Sequence, residues 1–267
     1  MLKFSYVLPD PSGYRDWEEF EGDLACAKQA GYDAVELQIA DPSVFDESRV
    51  RQSLAMAGLP MCAFQTGASY ASHGNCLCTS NDTVRERTVK LLLSFVDLAA
   101  RWNAVIVLGS LQGRFKDEPN RSTGEARIRD ALLCVGEYAL SKKATLAFEP
   151  VNHGEISFHN TITEATTLVR GIGLPSVQLM VDTFHMNIEE KDMLAPLAGI
   201  KDILAHVHLS ETNRDVLGTG HWDTRGFLTE LCRIGHRGFC SIGVYNTRRP
   251  RSDCLKHCIK ACKASKK

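Results

Sequence analysis

The chain has 267 residues, 44% hydrophobic and 24% charged, the balance of an ordinary globular protein rather than a disordered or collagen-like one. Lys and Arg number 31 against 32 Asp and Glu, and a formal net charge of −1 argues against a partner held mainly through nucleic-acid phosphates. No stretch approaches the ~20 apolar residues of a membrane span, and the first residues, broken at Pro9 and Pro11, lack the apolar core of a signal peptide. A cytoplasmic protein with no membrane partner is the expectation.

Taken in order, β-like runs alternate with amphipathic helical runs. Lys3–Leu8 reads as a strand, and Asp16–Ala30 as a helix with Phe20, Leu24 and Ala27 on one face, stopped at Gly31. Ala34–Ile39 is the second strand, Glu47–Ala57 a helix stopped by Gly58, and Pro60–Thr66 the third strand. A polar loop, Gly67–Asn81, ends in the capping residues Ser80, Asn81 and Asp82 before a strong helix over Thr83–Trp102. Ala104–Ser110 is strand four, followed by a second polar loop, Leu111–Ser122, and a helix over Thr123–Ser141. Thr145–Pro150 is strand five, and Asn160 and Thr161 cap a helix ending near Gly171. Val177–Thr183 is strand six, with a shorter helix at Glu189–Leu197. Ile203–Ser210, a helix over Thr224–Ile234, Gly238–Val244 and a helix over Arg251–Lys263 complete the chain.

Eight such units with no linker predict an α/β fold, a single (β/α)8 barrel domain over residues 1–267. A doubly wound open sheet is the rival, but no GxGxxG or GxxxxGK[ST] follows the first strand. The ten cysteines read as free thiols. Cys254, Cys258 and Cys262 form one helical stripe of small apolar contacts, with His257 at the surface. Cys76 and Cys78 form a CxC in a loop, but no Cys or His pair follows at finger spacing.

Barrel enzymes carry their chemistry at the C-terminal ends of the strands. Strand five ends in Glu149, strand six in Asp182 with His185 close behind, and strand seven carries His208 with Glu211 and Arg214 beyond it. Singly, each has a plain structural use as a cap or a hydrogen-bonded core residue. Together, Glu149, Asp182 and His208 in consecutive units make a mixed oxygen and nitrogen set suited to Mn²⁺, Mg²⁺, Co²⁺ or Zn²⁺. The loops above offer Asn152, His153, Glu155, Asn160, Arg214 and His221, donors and acceptors for a substrate rich in hydroxyls. Arg114, Lys116 and Arg121 are candidates for a substrate phosphate, though a solvated loop accounts for them as well. His206 sits two residues before His208, and the pattern assigns it no role.

FEPVN with Glu155, VDTFHMNIEE at 181–190, HVHLSETNR at 206–214 and GTGHWD at 218–223 resemble the sugar isomerase/epimerase barrels of the xylose isomerase-like superfamily. Within it, the sequence is most similar to the D-tagatose 3-epimerase and D-psicose 3-epimerase group, from strand three to the last helix. The first third matches in pattern only. The resemblance implies a divalent metal, Mn²⁺ first among candidates, on Glu149, Asp182 and His208, with substrate contacts at Glu155, His185 and Arg214. It implies a metal-dependent isomerase or epimerase that removes a proton beside a ketose carbonyl through an enediolate, with Glu149 as base. The family commonly forms dimers or tetramers, so a homo-oligomer is possible.

One position departs. The last strand in this family carries a glutamate, fourth ligand and second proton-transfer group, where this chain reads Ser241, Ile242, Gly243, Val244. Three readings follow: a fourth ligand from water or Glu211, a one-base reaction on Glu149, or a catalytically impaired or purely binding relative. An abasic-site endonuclease of the same superfamily is the remaining rival. Only His185 and His208 of nine histidines lie at the expected rim, and the net charge is −1, both against it.

Overall fold

Local signals set most element ends in the computed structural model, which describes residues 1–264. In chain order these are β1 (Lys3–Pro9), α1 (Trp17–Ala30), β2 (Ala34–Gln38), α2 (Glu47–Ala57), β3 (Met61–Gln65), α3 (Ala68–His73), α4 (Asp82–Trp102), β4 (Val105–Leu108) and α5 (Arg121–Lys142). There follow β5 (Thr145–Phe148), α6 (Ile162–Ile172), β6 (Val177–Asp182), α7 (Thr183–Glu189), α8 (Leu197–Ile200), β7 (Leu204–Ser210), α9 (Thr224–Arg233), β8 (Phe239–Gly243) and α10 (Arg251–Ala264). Asp16 and Asn81 accept from the N3 amides of α1 and α4, and Thr161 forms a full capping box with Glu164 at α6. Gly31 and Gly58 end α1 and α2 in the left-handed conformation that a side chain would oppose.

The eight strands run parallel and close in sequence order into a barrel, as the alternation predicts. Two compact units can be described separately, three of their four boundaries falling inside strands β2, β3 and β6 and the fourth between Phe45 and Asp46. The first comprises Met1–Leu37, Asp46–Cys62 and the chain from Asp182 onward. In it β8 pairs with β1, Ser5 opposite Ser241, and with β7, His208 opposite Ser241 and Ser210 opposite Gly243. Helix α1 packs on α2 and α10. The Cys254, Cys258 and Cys262 stripe of α10 is buried, His257 is exposed, and none of the ten cysteines is in a disulfide.

The second unit comprises Gln38–Phe45 and Ala63–Val181. Here Gln65 lies opposite Val107, Leu108 opposite Phe148, and Phe148 opposite Leu179. Helix α4 buries Thr88, Leu92, Phe95, Val96 and Ala99, the i, i+4, i+7 stripe of an amphipathic helix, and packs on α5. Burying each such Leu or Phe contributes about 1.5–3 kcal/mol.

Two expectations need correction. The helix expected at Glu189–Leu197 instead starts at once after β6, as α7, because Asp182 caps it by accepting from the Phe184 amide. Pro196 then confines the next helical turn to α8. The loop Gly67–Asn81 is not irregular throughout, since it contains α3. Among the described residues no helix is long and apolar enough to cross a membrane.

Candidate active site

Strand β6 delivers Asp182 and β7 delivers His208, both buried. Asp182 Oδ2 lies 3.7 Å from His208 Nδ1 and 3.4 Å from both the Arg214 Nη1 and the Ser210 Oγ that donate to it. Burial works against charge on this carboxyl. The Arg214 guanidinium, with His185 and His208, outweighs burial and holds Asp182 well below the usual carboxylate range. Arg214 is itself fixed from several sides. Its guanidinium stacks over Phe184 at 3.8 Å and Tyr245 at 5.0 Å, and its Nη2 lies 3.4 Å from His185 Nε2. Its carbonyl accepts from the amides of Tyr245 and Asn246, and its φ of 60° is a left-handed backbone uncommon for a bulky residue.

The face of His208 turned away from Asp182 meets a residue that the sequence pattern did not single out. Glu36, inside β2 and fully buried, accepts from His208 Nε2 through Oε1 at 2.9 Å and from His206 Nε2 through Oε2 at 2.8 Å. Burial alone would raise Glu36. The His208 and His206 imidazoles and their hydrogen bonds overcome that and hold it well below the ordinary range. An ionised Glu36 therefore holds the His208 ring through Nε2 and turns Nδ1 toward Asp182. His206, which the pattern left without a role, is the second anchor of Glu36, and it is also within 3.1 Å of Ser241 Oγ. The signal in the sequence was a glutamate amid AVELQI, where β alternation turns it inward beside Ala34.

In the other unit, Glu149 follows β5 and is 8% exposed. Its amide donates to Leu108 O at 2.8 Å and its carbonyl accepts from Gln112 Nε2 at 2.9 Å. Its carboxylate lies over Gly109, where any Cβ would collide with Oε2. Gln112 is braced in turn by His159 Nδ1 at 3.1 Å, another pair not legible from spacing. Burial lowers the His159 pKa. Glu155 accepts from Asn152 Nδ2 at 3.0 Å, while His153 and His221 are exposed.

Asp182 and His208 each offer a ligand atom in the first unit, and Glu149 offers a buried carboxylate in the second. Buried carboxylates and an imidazole nitrogen are the donor types that suit a hard or borderline divalent cation. Around Gly243, the space of a side chain is already taken. A Cβ there would stand 2.6 Å from Tyr245 Cε2, 2.9 Å from its Oη and 3.1 Å from Ser210 Oγ. Glu211 is not free to stand in as a ligand. Its Oε1 accepts from the Thr212 amide and its Oε2 from the Gly218 amide, both at 2.8 Å, so it anchors its own loop. The three basic candidates for a phosphate are also engaged. Arg114 Nε donates to Glu155 O, Lys116 lies over Tyr70, and Arg121 pairs with Glu125 and stacks on Phe115.

A family model described as xylose isomerase-like TIM barrel matches residues 24–264. A ketose 3-epimerase of Arthrobacter globiformis is 31% identical over 85% of this chain and 78% of its own length. An L-ribulose 3-epimerase of Mesorhizobium japonicum is 30% identical over 86% of this chain and 76% of its own. The solved structure of a D-allulose 3-epimerase from Methylomonas sp. with D-allulose shares the fold at a TM-score of 0.85 and 22% identity, covering 99% of this chain and 97% of that one.

Proposed function

Since the chain belongs to the xylose isomerase-like TIM barrel family, we propose that it is a metal-dependent sugar isomerase or epimerase acting on a ketose. The observation that carries this reading is the buried pair of Asp182 Oδ2 and His208 Nδ1, 3.7 Å apart at the ends of β6 and β7. It is supported by relatives named as ketose 3-epimerase and L-ribulose 3-epimerase. In this reading Glu149, Asp182 and His208 hold a divalent ion, Mn²⁺ first among candidates. When bound, the ion supplies positive charge against the oxygen of a ketose that turns anionic on deprotonation.

The remaining work falls to the chain. Glu149 takes the proton from the carbon beside the carbonyl, leaving an enediolate, and holds it until a carbon takes it back. Arg214, locked by Phe184 and Tyr245, and His185 beside it supply donors to substrate oxygens, with Glu155 accepting from a hydroxyl. Gly243 offers no carboxylate to serve the opposite face. The reading therefore assigns a one-base reaction, in which Glu149 both removes and returns the proton.

A second reading, a sugar- or metal-binding relative that does no chemistry, is favoured by Gly243 and by the Tyr245 ring in its place. Solvent exchange separates the two. The protein is loaded with Mn²⁺ and incubated in D₂O with D-allulose, L-ribulose and related ketoses, and deuterium next to the carbonyl is followed by NMR. A one-base enzyme washes deuterium in even where net epimerisation is slow, and Glu149→Gln abolishes the exchange while the melting curve is kept. No exchange with any ketose, or an unchanged rate in Glu149→Gln, would refute the proposal.

A further inference from the structure

The CxC of the loop after β3 is not used by the proposed reaction, and its surroundings hold a third donor that sequence spacing could not reveal. We propose that Cys76, Cys78 and Asp117 form a second metal site, for a thiophilic d¹⁰ cation such as Zn²⁺ or Cd²⁺. The two sulfurs are 3.4 Å apart, and each of the three residues offers one ligand atom within 4.8 Å of the others. A tetrahedral ion with metal–sulfur bonds of ~2.3 Å holds its sulfurs ~3.8 Å apart, so occupation asks the thiols to part by a few tenths of an ångström.

The cluster is a built one. The Leu77 amide donates to Leu111 O at 2.8 Å, the Cys78 amide to Gln112 O at 3.3 Å and the Cys76 amide to Thr88 Oγ1 at 2.9 Å. These bonds hold both thiols, buried, against the loop after β4. Gly113 makes the room. A Cβ on it would overlap Cys76 Sγ and stand 2.6 Å from Cys78 Sγ. Asp117 is oriented through one oxygen only. Its Oδ2 accepts from Tyr70 Oη at 2.7 Å and from the Arg114 amide at 2.9 Å, and this oxygen lies beside the two sulfurs around Gly113, 3.4 Å from where a Cβ would stand.

The chemistry agrees with the placement. Binding of the cation displaces both thiol protons to solvent, and three protein donors leave one position for water. Sulfur donors separate this preference from the oxygen and nitrogen set of Glu149, Asp182 and His208. The same loop bears on the substrate rim, because Gly113 O accepts from the Ser157 amide at 3.2 Å and Arg114 Nε donates to Glu155 O at 2.5 Å. An ion at the thiols would stiffen the backbone that presents Glu155.

The test uses the full chain, reduced and freed of metal, and titrated with Cd²⁺ while the ultraviolet thiolate-to-metal charge-transfer band is recorded. One equivalent is expected to develop the band. Cys76→Ser with Cys78→Ser should abolish it, Asp117→Asn should weaken binding at least about tenfold, and Asp182→Asn should leave it intact. X-ray absorption at the cadmium edge on the unaltered protein should show two sulfur neighbours and needs no variant to fold. A band of full strength in the double serine variant, or an edge spectrum without sulfur, would overturn the site. Neither outcome bears on whether the protein exchanges a ketose proton.

Discussion

Restoring a carboxylate at position 243 is the sharpest perturbation that the structure offers, and simple replacement meets an obstacle. In Gly243→Glu the new Cβ would stand 2.6 Å from the Tyr245 ring, about 1 Å inside ordinary contact. Tyr245 is 46% exposed, so the ring can swing outward rather than break the barrel. Moving it forfeits the stack on Arg214, worth about 0.5–1 kcal/mol at a partly exposed site, and crowding of this kind costs about 1–3 kcal/mol in all. Trimming the ring in Gly243→Glu with Tyr245→Ala removes the collision. The return is larger than the cost. A positioned acid/base group contributes about 10²–10⁴ in rate, equivalent to roughly 3–5 kcal/mol of barrier. The expected pattern is a Gly243→Glu protein that melts earlier in urea, and a double variant that recovers stability. The double variant should also epimerise ketoses at least 100-fold faster than its parent. The assay is chromatographic separation of epimers from Mn²⁺-loaded protein, beside urea melts. If the folded, metal-loaded double variant stays within threefold of the parent, position 243 is not where the second proton-transfer group belongs.

Two further outcomes follow from His208 and His236. Glu36→Gln removes the charge that pins the His208 ring, so Mn²⁺ affinity by calorimetry should fall about 10- to 100-fold. Unchanged affinity would show that Glu36 does not orient that ring. Burial, assisted by nearby His206, pushes His236 down to about 4. An unfolded histidine takes its proton near pH 6.5, so between those values the unfolded chain binds more protons than the folded one. Stability present above about pH 6.5 is therefore lost as pH falls toward 4, by about 2 kcal/mol from this residue after allowing for its partial exposure. Urea melts at pH 7 and pH 4.5 should differ less in His236→Asn than in the parent, and an equal difference would exclude His236 as the source.

Much of this protein was legible in one dimension. Alternating periods of two and 3.6, with Asn81, Thr161 and Gly31 at helix ends, determine eight βα units because burial of one face and satisfaction of terminal amides are local demands. The polar residues ending consecutive strands could be named for the same reason, since a carboxylate closing an apolar run is visible without knowing its neighbours. Partnership is different, because it joins residues of strands and loops that only folding brings together. Glu36 meets His208 across 172 positions and Asp117 lies 39 residues beyond Cys78, so no spacing rule connects them. Gly243 shows the division most plainly. The sequence alone exposes a missing carboxylate, while only the folded β8, in register with Ser210, puts the Tyr245 ring into the space that the carboxylate would need. Composition and period report which side of an element turns inward. What it finds there depends on closing the barrel.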